Sequence, residues 1–84
     1  MNVVMWSKKA KKQLTKIPLK FRIMITDATR NLVDFPECKN VKSLKNHKYS
    51  FRMRIGRYRV FFDHKSHIQI VAIQEVKKRD ERSY

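Results

Sequence analysis

The chain reads YSFRMRIGRYRVFF from Tyr49 to Phe62, and this stretch decides how the rest of the sequence is interpreted. Apolar and basic residues alternate on both sides of Gly56, which is the only glycine of the chain. Alternation with a period of two is typical of a half-buried β-strand, and a glycine between two such runs marks a tight turn. The stretch therefore predicts a β-hairpin with one apolar face and one face that carries arginines.

The strands of this hairpin are predicted to run from Lys48 to Ile55 and from Arg57 to Asp63. Burial of the apolar set forces the alternate side chains onto the open face of the sheet. The apolar set consists of Tyr49, Phe51, Met53, Ile55, Tyr58, Val60 and Phe62. The open-face set consists of Arg52, Arg54, Arg57, Arg59 and Phe61. Asp63 is the only acid between residues 48 and 74, so the arginines form an uncompensated cluster that favours binding of a polyanion.

The first half of the chain predicts a strand from Asn2 to Trp6 and two helices. Ser7 is a plausible N-cap for a helix from Lys8 to Ile17, and Pro36 ends a second helix from Leu19 to Phe35. The apolar residues of these helices recur at helical spacing. They are Ala10, Leu14 and Ile17 in the first helix, and Phe21, Ile25, Ala28, Leu32 and Phe35 in the second.

Residues 37–47 are predicted to form a loop, and the segment from His67 to Val76 is predicted to form the last strand. This strand is apolar on both faces, which is typical of a central position in a sheet. The predicted order is β-α-α-β-β-β. It corresponds to an α+β fold in which a two-helix hairpin covers one face of a small, mainly antiparallel sheet. We expect one domain that spans residues 1–84.

Composition narrows the classes of function. Lys and Arg number 21 and Asp and Glu number 7 among 84 residues, giving a formal charge of +14. Nucleic acid is therefore the first expected partner, and an acidic protein is the second. The single cysteine, Cys38, suits a reducing cytoplasm. No signal peptide or membrane span is predicted, and one glycine excludes P-loops and Rossmann glycine fingerprints. His64 and His67 lack further ligands nearby, so no metal or other cofactor is expected.

The chain resembles the RelE/ParE toxin superfamily, and three segments carry the motifs of that resemblance. They are Leu44-Lys45, the hairpin of residues 49–62, and the tail KRDERSY of residues 78–84. The length, the charge and the predicted order of elements fit as well, so the resemblance covers essentially the whole chain. The resemblance implies a toxin of a type II toxin–antitoxin module, with a cognate antitoxin as partner. The RelE branch consists of ribosome-dependent endonucleases that cut messenger RNA in the ribosomal A site.

The resemblance also implies a set of catalytic residues. They are Arg52, Arg54, Arg59, Arg79 and Tyr84, with Lys78 as an alternative to Arg79. The contacts with messenger RNA and ribosomal RNA are expected from Lys8, Lys9, Lys11, Lys12, Lys45, Arg57, Lys77, Lys78 and Arg82. The lysines of the first helix can equally form a solvated helical face.

The reaction implied is attack of a ribose 2′-OH on the adjacent phosphate. Arg59 and Arg79 would bind the phosphate in the transition state. Arg52 and Arg54 would orient the RNA or stabilise the developing charge, and Tyr84 would stack on a base or form a hydrogen bond near the 2′-OH. Two alternatives stay open: a ParE-like inhibitor of DNA gyrase without nuclease activity, and an RNA-binding protein without catalysis.

Overall fold

The computed structural model describes residues 1–79, which form one five-stranded sheet and two α-helices. The elements are β1 (Val3–Trp6), α1 (Lys8–Thr15), α2 (Leu19–Thr29), β2 (Val41–Ser43), β3 (Phe51–Ile55), β4 (Tyr58–Lys65) and β5 (Ile70–Lys78). The strand order is β1-β5-β4-β3-β2; β1 is parallel to β5 and the other pairs are antiparallel. The predicted α+β fold is confirmed, including the interior position of the last strand.

The helices cover one face of the sheet and bury the predicted apolar stripes. Ile25 and Leu32 are fully buried against Val60, Phe62 and Ile73 in a single core. Because burial of each such side chain stabilises the fold by roughly 1.5–3 kcal/mol, this layer fixes which face of β3 and β4 points inward.

The second helix is shorter than predicted. It ends at Thr29, whose hydroxyl donates to the carbonyl oxygens of Ile25 and Thr26, and a 3-10 helix follows at Arg30–Asp34. The tighter turn keeps Leu32 in the core. The first helix also ends early, at Thr15 instead of Ile17.

The prediction that residues 37–47 form a loop throughout is wrong, because they contain β2. This edge strand pairs Val41 with Met53, and three residues are too few to show an alternating pattern. The other strand boundaries shift as well. β3 begins three residues later than predicted, β4 continues to Lys65, and β5 covers Ile70–Lys78 after a 3-10 helix at Ser66–Ile68.

Helix α1 covers the part of β5 that β1 does not pair. The β1–β5 ladder ends where the Ser7 amide donates to the carbonyl of Ile73. Beyond it, the Ser7 hydroxyl donates to the carbonyl of Gln74 at 3.1 Å, and the Gln13 side-chain oxygen accepts from the amide of Val76 at 2.7 Å. These bonds protect an otherwise open sheet edge. Neither described helix, within residues 1–79, is long and apolar enough to cross a membrane.

Candidate nucleic-acid interface

The face of the sheet opposite the helices carries two cross-strand rows of side chains. One row consists of Arg54, Arg59 and Lys77, and the adjacent row consists of Arg52, Phe61 and Glu75. We call this surface the open face. Directly opposite positions on neighbouring strands place their Cβ atoms about 4.5–5.5 Å apart. The predicted clustering of Arg52, Arg54 and Arg59 is therefore confirmed.

The arginines repel one another, and Arg52 and Arg59 are half-buried whereas Arg54 is exposed. Burial and the charges of Arg59, Arg54 and Arg79 lower the pKa of Arg52. The Nε atoms of Arg52 and Arg59 are buried and have no hydrogen-bond partner among residues 1–79. An unpaired buried donor costs about 1–3 kcal/mol. An anion bound to the remaining guanidinium nitrogens would offset the mutual repulsion of these groups.

Glu75 is the buried acid of the open face, and its partners are not arginines. Its Oε1 accepts hydrogen bonds from the Tyr49 hydroxyl at 2.8 Å and from Lys9 Nζ at 3.0 Å. Lys77 Nζ lies 3.3 Å from Oε2. Burial alone raises the pKa of Glu75, but the hydrogen bonds from Tyr49, Lys9 and Lys77 outweigh it and lower that pKa to about 2. The carboxylate is therefore a fixed anion and a poor proton acceptor.

A β-bulge brings Glu75 to this face. Phe61 pairs with Glu75 whereas Phe62 pairs with Ile73, which leaves Gln74 as an extra residue in β5. Strict alternation from Ile73 would have turned Glu75 toward the helices. Glu75 was not among the predicted site residues. The signal was available, because apolar Ile73 and Val76 are three positions apart and both are buried in the core.

The predicted position of Tyr49 in the helix-facing core is wrong. Its hydroxyl bonds Glu75, and its ring centroid lies 5.6 Å from that of Phe61, so it packs on the open face. The reason is that β3 begins only at Phe51, and the preceding loop does not continue the strand alternation. The same loop brings His47 onto Phe61 with a centroid distance of 5.2 Å and an interplanar angle of 12°. His47 was also missed as a site residue.

The other expected contact residues surround the open face unevenly. Lys8, Lys11 and Lys12 are exposed on α1, whereas Lys9 and Lys77 are tied to Glu75. Lys45 is exposed in the loop before β3, and Arg57 is exposed in the β3–β4 turn. Lys78 is exposed at the end of β5, and the Arg79 amide donates to the carbonyl of Arg57. Arg82 and Tyr84 lie outside the described residues.

His64 is used in packing. His64 Nε2 lies 3.1 Å from Asn2 Oδ1, and its ring packs on Phe35. Among residues 1–79, no three His, Cys, Asp or Glu side chains cluster closely enough to hold a metal ion.

Comparison with known proteins gives one family and one fold. Residues 4–82 match the profile described as "ParE toxin of type II toxin-antitoxin system, parDE". Among curated proteins, no sequence matches the chain significantly.

Three solved structures illustrate the fold. The chain is similar to the isolated RelE toxin of E. coli, with a TM-score of 0.82, 13% identity, and coverage of 99% of this chain and 89% of that one. It is also similar to the toxin–antitoxin complex RelBE2 from Mycobacterium tuberculosis, with a TM-score of 0.78, 20% identity, and coverage of 93% of this chain and 98% of that one. For the archaeal RelE-RelB complex from Pyrococcus horikoshii the TM-score is 0.76 at 20% identity, and the match covers 95% of this chain and 97% of that one.

Proposed function

Since this chain belongs to the ParE toxin family of type II toxin–antitoxin systems, we propose that it is a toxin that cuts messenger RNA in the ribosomal A site. The observation that carries the proposal is the position of Arg52, Arg54 and Arg59 on one face of the sheet. None of these three forms an ion pair among residues 1–79. A face with uncompensated positive charge binds a polyanion more favourably than a face on which positive and negative charges alternate.

The proposed reaction is an internal phosphoryl transfer. The ribose 2′-oxygen forms a bond to the adjacent phosphorus and loses its proton, while the bond from phosphorus to the 5′-oxygen breaks and that oxygen takes up a proton. The products are a 2′,3′-cyclic phosphate and a 5′-hydroxyl. Guanidinium groups stabilise the charge that develops on the phosphorane and on the leaving oxygen.

The roles proposed for single residues are those that the family resemblance implies, and their placement on the open face supports them for Arg52, Arg54 and Arg59. Arg59 lies in the centre of its row, between Arg54 and Lys77, where it would bind the reacting phosphate together with Arg79. Arg52 and Arg54 would orient the RNA. Glu75 accepts three hydrogen bonds and keeps a low pKa, so it is not assigned as the base. The ribosome then has to supply the reactive geometry of the RNA.

The positive charge of the arginines on the open face also supports the proposed partners. The solved complexes named above join RelE toxins to RelB antitoxins, and this toxin would likewise have a cognate antitoxin. An acidic segment of that protein could neutralise Arg52, Arg54 and Arg59, with part of the segment folding on binding. A ribosomal target places the activity in the cytoplasm.

Cleavage on ribosomes programmed with a defined messenger RNA tests the proposal. We expect 5′ ends that map to the A-site codon. Arg59→Ala should slow single-turnover cleavage by about 10²–10³-fold, as removal of a transition-state hydrogen-bond donor does. The matched control is Arg30→Ala, because Arg30 is an exposed arginine that pairs with Asp27 on the helical side.

A second candidate function is inhibition of DNA gyrase without RNA cleavage, which the ParE name of the matching family favours. Loss of gyrase supercoiling with intact messenger RNA would establish that candidate and overturn the nuclease proposal. A wild-type cleavage rate in Arg59→Ala would overturn the role of Arg59 alone.

A further inference from the structure

His47 presents an aromatic ring to solvent beside the arginines. The residue is exposed, yet its ring lies nearly parallel to that of Phe61, which is only 7% exposed beneath it. Phe61 therefore lies against one side of the ring, while the exposure of His47 leaves ring surface on the outer side accessible to solvent. Phe61 is the cross-strand partner of Arg52, so His47 packs over the same row of side chains that carries Arg52.

The ring is held in this position by backbone and side-chain contacts. The Nδ1 atom of His47 accepts a hydrogen bond from the Tyr49 amide at 3.0 Å, which leaves the proton of the neutral ring on Nε2. Tyr49 is in turn anchored to Glu75, and its ring contacts both His47 and Phe61. The aromatic group of His47, Tyr49 and Phe61 is thus tied to a buried carboxylate.

The loop that carries His47 is also closed at its ends. The Leu44 amide donates to the carbonyl of Ser50, and the Ser50 amide donates to Asp63 Oδ1 at 2.9 Å. Asn46 has a φ of 53°, a left-handed conformation that asparagine adopts more readily than most residues. A flat ring fixed in this way binds a second ring at a small entropic cost.

We infer that the outer face of His47 is a stacking site for an unpaired nucleobase of single-stranded RNA whose phosphates bind Arg52 and its neighbours. The inference rests on the proposed function, since it assumes that RNA occupies the open face. Proteins recognise single-stranded RNA by stacking bases on aromatic side chains beside cationic ones. Stacking tolerates any base, because every base has a π face.

The test uses a short RNA that contains one 2-aminopurine and a 2′-O-methyl group on every ribose. This RNA cannot undergo the proposed reaction, so binding is measured apart from cleavage. Stacking quenches the fluorescence of 2-aminopurine. We expect quenching by the wild-type protein and by His47→Phe, and we expect His47→Ala to lose it and to bind about tenfold more weakly. His67→Ala is the control, because His67 is an exposed histidine in the 3-10 helix before β5.

The outcomes separate this inference from the proposed function. Wild-type quenching in His47→Ala would overturn the stacking site, whatever the ribosome assay shows. Quenching that depends on His47, together with uncut messenger RNA on ribosomes, would support the stacking site and overturn the nuclease. A wild-type protein that does not bind this RNA would overturn the stacking site, while the nuclease is judged separately by cleavage on programmed ribosomes. His47→Phe also distinguishes stacking from proton transfer, because it keeps the ring and removes both nitrogens; retained cleavage in this variant supports stacking.

Discussion

At the scale of single residues, Glu75 joins three separate parts of the chain. It accepts hydrogen bonds from Lys9 of α1, from Tyr49 of the loop before β3, and from Lys77 of its own strand. The bond to Glu75, followed by burial, raises the pKa of Tyr49. The aromatic group of the open face therefore depends on one buried charge.

Replacement of that charge is expected to destabilise the fold. Glu75→Gln should lower the free energy of unfolding at neutral pH by about 1–3 kcal/mol, because the buried Tyr49 hydroxyl loses a charged acceptor and Lys9 and Lys77 lose their ion pairs. The pKa of Glu75 is lowered from 4.5 to about 2 on folding. Its contribution is thus fully present above the unfolded pKa and is lost as the pH falls toward 2.

Urea unfolding at a series of acidic pH values measures both effects. The wild-type protein should lose more stability than Glu75→Gln over this range, so that the two curves converge at low pH. Asp27→Asn is the control, since Asp27 forms an exposed pair with Arg30, and such pairs contribute about 0–1 kcal/mol. Parallel curves for wild type and Glu75→Gln would contradict the proposed contribution of this carboxylate.

At the scale of elements, α1 completes the sheet as well as covering the core. Gln13 accepts a hydrogen bond from the Val76 amide, in the part of β5 that β1 does not reach. Gln13→Ala should leave this amide without a protein partner and destabilise the fold by about 1 kcal/mol. Gln13→Glu keeps an acceptor oxygen at the same place and should retain most of the stability.

Hydrogen exchange at the Val76 amide checks this prediction. Exchange should be several-fold faster in Gln13→Ala than in the wild-type protein, with no comparable change at Val71 near the start of β5, where β1 pairs with it. Equal protection of Val76 in both proteins would show that α1 is not needed to close this edge.

At the scale of the whole molecule, the formal charge of +14 governs association with the ribosome. Binding to RNA releases counterions, so affinity should fall steeply as salt rises. Lys8, Lys11 and Lys12 are exposed on α1 and have no ion pair among residues 1–79, unlike Lys9. Their joint replacement by Gln should reduce the slope of log affinity against log salt by about 2 if all three contact phosphates.

Ribosome binding at several salt concentrations measures this slope. Cleavage by the bound protein should be slowed less than its association, because α1 lies outside the arginine rows. The control replaces Lys20, Lys39 and Lys65 by Gln, which gives the same net charge at other exposed positions. Equal effects of the two triple variants would indicate that net charge alone, and not α1, governs binding.

The sequence by itself determined the fold class and the arginine face. The period-two pattern around Gly56 needs only the rule that alternate side chains of a strand point to opposite faces, and Arg52, Arg54 and Arg59 follow it. The helical stripes likewise predicted the buried positions of Ile25 and Leu32. Local periodicity sufficed in these segments because each residue's face depends only on its own element.

Tertiary structure alone decided the centre of the open face. Glu75 reaches it through a β-bulge, Tyr49 and His47 reach it from an irregular loop, and Lys9 reaches it around the sheet edge. These positions depend on contacts between residues as far as 66 apart in the chain. No local period encodes such contacts, because a bulge or a loop breaks the alternation and the packing of distant segments then decides where each side chain points.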